Sequence, residues 1–93
     1  MDLGLKGKKV ILGGATRGIS KAAANLLAAE GCDLAVFSRN GDALEELQAQ
    51  LAVHGGKVFS QEFFLDDRDE YRALLTGFAD KLGGCDIFIH SIS

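Results

Sequence analysis

Short apolar runs alternate with amphipathic stretches along the whole chain, and glycine does the separating because there is no proline. A run of roughly four to eight apolar residues closed by turn residues reads as a buried strand, whereas apolar residues recurring at helical spacing read as one face of a helix. Residues 9–12 (KVIL), 33–38 (DLAVFS), 57–64 (KVFSQEFF) and 85–93 (CDIFIHSIS) fit the first pattern. Residues 18–31, 40–56 and 68–83 fit the second. The expected inward positions are Ile19, Ala22, Ala23, Leu26 and Leu27 in the first helix and Leu44, Leu47 and Leu51 in the second. In the third they are Tyr71, Leu74, Leu75, Phe78 and Leu82, with Asp67 as the N-cap. Gly31 and Gly55 suit the ends of the first two helices. Strands that alternate with helices predict an α/β fold: a doubly wound parallel sheet with right-handed crossovers and helices on both faces. The last strand would form a long, mostly apolar sheet edge.

Length and charge narrow the classes further. Ninety-three residues are enough for one small domain, and neither a linker nor a repeat divides them. A net charge of −3 with scattered Lys and Arg excludes a basic surface for nucleic acid. No stretch approaches the ~20 apolar residues of a membrane span. The first residues lack the basic-then-apolar order of a secretory signal, so a cytoplasmic location is expected. Cys32 and Cys85 each precede a predicted strand. Strands flanking a common neighbour would hold them roughly 9–10 Å apart, beyond the about 7 Å that a disulfide tolerates. Both are expected to be buried thiols.

The stretch VILGGATRGIS, residues 10–20, joins the first strand to the first helix. A helix N-terminus offers free N–H groups and a partial positive charge, and phosphate binds there readily. Glycines let the backbone turn tightly and let a pyrophosphate approach. Gly13, Gly14 and Gly18 stand where such a loop needs them. In this strand–loop–helix setting GGATRGIS resembles the T-G-x-x-x-G-x-G loop of the short-chain dehydrogenase/reductases. Gly13 takes the usual place of the threonine and Ser20 that of the last glycine. The resemblance extends along the chain. FSRNGDALEEL is similar to the family's second strand and following helix, FLDD falls on its D-V-x-D stretch, and HSIS falls on N-N-A-G.

The resemblance implies a Rossmann-type sheet of strand order 3-2-1-4, with residues 1–93 as the amino-terminal part of a dinucleotide-binding domain and no second domain. It implies a cofactor site built from Gly14, Thr16, Arg17, Gly18, Ile19, Ser38, Arg39, Asn40, Leu65, Asp66 and Ser91. Phe64 stands in place of the acid that usually contacts the adenine amino group, so Leu65 and Asp66 would take over that contact. NAD-preferring sites usually carry an acid after the second strand, to accept from the ribose 2′-hydroxyl. Here that place reads Ser38-Arg39-Asn40. Arg39 can pair bidentately with a 2′-phosphate and Ser38 can donate to it, and Arg17 lies close to the same corner. NADP(H) is therefore the expected cofactor.

Other polar residues are assigned no chemistry. His90 reads as a hydrogen-bonded core residue or a wall of the nicotinamide pocket. His54 is placed as a cation at a helix end. Asp67, Asp69 and Glu70 suit the first turn of a helix rather than a metal. In the family, hydride transfer requires a Tyr-x-x-x-Lys pair and a serine beyond the fourth strand. The single tyrosine, Tyr71, is followed four residues later by Leu75, so no catalytic residue is expected within this chain. Single α/β domains of this kind run to roughly 250 residues. The resemblance thus implies the amino-terminal part of an NADPH-dependent reductase of a ketone or 3-oxoacyl-like carbonyl, acting on a small molecule as a dimer or tetramer. Two alternatives stay open. His90-Ser91-Ile92 is similar to the enoyl-thioester reductases of the same family, and a stand-alone nucleotide-binding or interaction module would use the exposed edge strand.

Overall fold

The computed structural model describes residues 4–14, 18–64 and 67–90. Four strands and three helices alternate: β1 (Lys9–Gly13), α1 (Gly18–Ala29), β2 (Asp33–Ser38), α2 (Gly41–Ala52), β3 (Val58–Glu62), α3 (Arg68–Leu82) and β4 (Ile87–His90). All pairings are parallel and the order is β3-β2-β1-β4, as the alternation and the resemblance imply.

Because side chains alternate across a strand, β1 and β2 feed two separate cores. Val10, Leu12, Leu34 and Val36 face one side, where Ala24 and Ala28 of α1 and Leu44, Leu47 and Leu51 of α2 cover them. Ile11, Ala35 and Phe37 face the other side, where Phe78 and Leu82 of α3 pack with Tyr71, Leu74 and Leu75. The expected stripes of α2 and α3 are the observed ones. Asp67 caps α3 through Oδ1, which accepts from the Asp69 N–H at 2.7 Å and the Glu70 N–H at 3.4 Å.

The first helix agrees in part: Ala23 and Leu27 pack against the core as expected, but they are not its most buried positions. Ala24, Ala28 and Ser20 are buried, while Ala22 is exposed and Leu26 is 63% exposed. Ser20, Ala24 and Ala28 recur at one-turn spacing and form a narrow stripe of small residues that lies directly on the sheet. Alanine contributes little hydropathy contrast, so an alanine-rich helix does not mark its phase clearly in sequence. The third strand is also shorter than expected, ending at Glu62, and the fourth begins at Ile87. Cys32 is buried but Cys85 is exposed, contrary to the expectation of two buried thiols. Cys85 sits ahead of β4, at the sheet margin, where no further element covers it among the described residues. Burial raises the Cys32 thiol above its ordinary pKa, with Asp33 and Glu30 adding to the effect, and its Sγ donates to the Leu5 carbonyl at 3.3 Å.

Two carboxylates secure the feet of the sheet. Asp33 Oδ1 accepts from the Lys57 N–H and Asp86 Oδ2 from the Lys9 N–H, each at 2.9 Å. These bonds fix where neighbouring strands begin, which in turn sets the register at their far ends.

Candidate cofactor site

The C-terminal ends of all four strands lie along one edge of the parallel sheet, and the order reverses at β1, which has β2 on one side and β4 on the other. Ligand crevices in open α/β sheets form at such a reversal. The chain leaves β1 through Gly14, whose N–H donates to the Phe37 carbonyl at 3.0 Å and whose φ is 67°. Gly18 opens α1 with φ 54°. An L side chain rarely adopts these angles. Among the described residues a Cβ built on Gly18 would meet nothing within 4 Å, and the first turn of α1 carries no acid. Among the described residues nothing therefore crowds the start of α1, and its first turn brings no competing negative charge. That fits a pyrophosphate. Thr16 and Arg17 lie outside the described residues, as do Leu65, Asp66 and Ser91, and for Ile19 only its place in α1 is described.

Ser20 follows two residues into α1. It is fully buried, and its Oγ has no hydrogen-bond partner among the described residues. A buried hydroxyl without a partner costs about 1–3 kcal/mol. Ser20→Ala is accordingly expected to stabilise the full-length protein by about 1 kcal/mol, which is a rise of roughly 2–4 °C in Tm for a chain of typical family length. A lower Tm on thermal melting would instead show that the hydroxyl is held.

Gly13 ends β1 in a confined space. A Cβ there would lie 2.5 Å from Phe37 Cζ and 2.7 Å from His90 Cδ2. The two rings themselves pack with centroids 5.7 Å apart, and Tyr71 joins them, its hydroxyl 3.1 Å from His90 Nδ1. His90 is thus hydrogen-bonded and packed on an aromatic neighbour, yet exposed to solvent rather than buried as a core residue would be. It lies at the sheet margin, where β4 has no further strand beside it among the described residues. Burial raises the Tyr71 phenol above its ordinary pKa.

The second half of the site lies at the end of β2. Ser38 is buried, and its Oγ accepts from the Asn40 N–H at 3.2 Å. Asn40 is the N-cap of α2, its side-chain oxygen accepting from the Ala43 N–H at 3.1 Å. Arg39 is exposed. Sequence reasoning missed one member of this corner. Glu62 pairs in register with Ser38 from the neighbouring strand, and its Oε2 accepts from the Gly41 N–H at 3.0 Å. Only the parallel register brings positions 38 and 62 together, and that register is invisible until the strand starts are fixed. An open cavity of about 470 Å³ is lined by Arg39, Asn40, Gly41, Asp42, Glu62 and Phe64. Phe64 is half-exposed at its rim.

A Rossmann-type sheet, a glycine loop at its point of reversal and a polar corner one strand away together define a dinucleotide-binding α/β protein. The family description "short chain dehydrogenase" matches residues 8–92, and the chain belongs to that family of oxidoreductases, which bind NAD or NADP. It is 36% identical over 85 residues to the glycine betaine reductase ATRR of Emericella nidulans, covering 91% of this chain and 7% of that protein. It is 32% identical over 90 residues to a very-long-chain 3-oxoacyl-CoA reductase of Pyricularia oryzae, covering 92% of this chain and 26% of the relative. The solved structure of an NAD+-bound xylitol dehydrogenase superposes with a TM-score of 0.84 at 25% identity, over 90% of this chain and 32% of that one. The chain therefore spans a third or less of the length of these three proteins.

Proposed function

We propose that the protein carrying this chain is an NADP(H)-dependent oxidoreductase that reduces the carbonyl of a ketone or 3-oxoacyl-like small molecule. The observation that carries the cofactor reading is the end of β2. Ser38 and Arg39 occupy the place where NAD-preferring sites usually have an acid, and Arg39 lines a cavity one strand away from β1 and the start of α1. In this reading Gly14 turns the backbone so that the pyrophosphate can approach, and Thr16, Arg17, Gly18 and Ile19 hold it through backbone N–H groups and the helix dipole. Ser38, Arg39 and Asn40 take the 2′-phosphate, Leu65 and Asp66 the adenine, and Ser91 the nicotinamide half. When bound, the cofactor supplies the hydride. Residues of this chain bind and orient it, while the proton-transfer residues lie elsewhere in the full-length protein. Residues 1–93 form the amino-terminal part of one dinucleotide-binding domain, and by themselves they bind cofactor without turning it over. The carbonyl class draws support from the similarity to a 3-oxoacyl-CoA reductase. We read the protein as a cytoplasmic homo-oligomer, and no helix among the described residues is long and apolar enough to cross a membrane.

The test is NADPH oxidation by the full-length protein against ketones, 3-oxoacyl thioesters and enoyl thioesters. Turnover of the carbonyl substrates is expected. Turnover of enoyl thioesters alone would move the assignment to C=C reduction, which the His90-Ser91-Ile92 segment favours. Tight cofactor binding with no turnover on any panel would leave a binding module.

A further inference from the structure

We infer that Glu62 is a specificity-determining residue: its carboxylate occupies the anion position at the N-terminus of α2 and holds the preference for NADPH over NADH well below what Ser38 and Arg39 alone would give. The inference rests on the cofactor reading proposed above and sharpens it at one corner.

Four observations converge on it. Glu62 is the sheet partner of Ser38, so the two side chains leave the same edge of the sheet on neighbouring strands. Its Oε2 accepts from the Gly41 N–H at 3.0 Å, at the first residue of α2, where the helix dipole favours negative charge. Residue 41 is a glycine, and a Cβ there would lie 2.6 Å from that same oxygen. The carboxylate has its place because the neighbouring side chain is missing. Finally, Glu62 and Asp42 share the cavity with Arg39.

The consequence is chemical. A 2′-phosphate placed against Ser38 and Arg39 would enter a cavity already holding a fixed negative charge. Two N–H groups near that place, those of Asn40 and Gly41, already donate to Ser38 Oγ and Glu62 Oε2. A ribose 2′-hydroxyl meets the opposite situation, because it is neutral and can donate to a carboxylate. Glu62 thus supplies from β3 the acid that NAD sites usually carry at the end of β2. Both effects act in one direction, against the phosphate and for the hydroxyl.

The experiment measures equilibrium Kd values of the full-length protein for NADPH and NADH, without substrate, for the wild type, Glu62→Gln and Glu62→Ala. Adenosine 2′,5′-bisphosphate and ADP serve as probes without nicotinamide. Glutamine keeps an acceptor for the Gly41 N–H and removes the charge. Glu62→Gln should shift the NADH/NADPH ratio of Kd values at least tenfold towards NADPH, and the two adenosine probes should shift with it. Glu62→Ala should move the ratio the same way. A ratio within twofold of the wild type in both variants overturns the inference. A wild type that binds NADH far more tightly than NADPH would overturn the NADPH reading instead, and the two failures stay distinct because Glu62 is judged only by the change between variant and wild type.

Discussion

Gly13→Thr, which restores the residue usual for the family at this place, is expected to destabilise the full-length protein by roughly 2–3 kcal/mol. The added Cβ would fall 2.5 Å from Phe37 Cζ and 2.7 Å from His90 Cδ2, and threonine adds two further atoms beyond it. Neither ring can withdraw easily. Phe37 is buried against Phe63, Tyr71 and Phe78, with centroid separations of 6.1, 5.8 and 6.3 Å. His90 is held by the Tyr71 hydroxyl. The clash should therefore show as a loss of Tm, and it should depend on the size of residue 37. Phe37→Leu alone vacates the volume of a ring edge and costs about 1–2 kcal/mol. Combined with Gly13→Thr, it should recover at least about 1 kcal/mol relative to the sum of the single changes, the coupling expected of residues in contact. Thermal and denaturant unfolding of the four proteins decides the matter. Strict additivity would mean that the rings yield to the new methyl by some other route.

The second large effect is on the cofactor. Ser38→Asp is expected to weaken NADPH binding by about a hundredfold and to leave NADH the preferred cofactor. An aspartate at this place removes a donor and adds a charge, each worth about 1–2 kcal/mol against a phosphate dianion. It would also stand beside Glu62 in register, so that two carboxylates line one corner. Titration of both cofactors against the wild type and the variant measures the reversal. If NADPH affinity survives the change, the 2′-phosphate does not sit at the end of β2.

Much of this architecture is legible in the residues. The stripes of Leu44, Leu47 and Leu51 and of Tyr71, Leu74, Leu75, Phe78 and Leu82 are strong because leucine and the aromatics contrast sharply with their polar neighbours. The glycine loop is legible because Gly14 and Gly18 occupy backbone angles that few other residues tolerate. What escaped the sequence depends on distance in the fold. The phase of α1 is set by close contact between small residues and the sheet, which alanine spacing does not announce. The exposure of His90 and Cys85 follows from their place at the sheet margin, which local pattern does not show. Glu62 joins the candidate site only through strand register, from a position 24 residues further along the chain than Ser38, the difference between 62 and 38.

The carboxylates of Asp33 and Asp86 at the feet of the sheet give the domain a direction. At that end each strand start is tied sideways by a side chain, whereas at the other end the backbone departs through glycines and a half-exposed aromatic. Local opening should follow that gradient, with amide exchange faster at Phe64 than at Leu34. The rim can then adapt to an incoming dinucleotide at small energetic cost, and the adjustment need not propagate to the base.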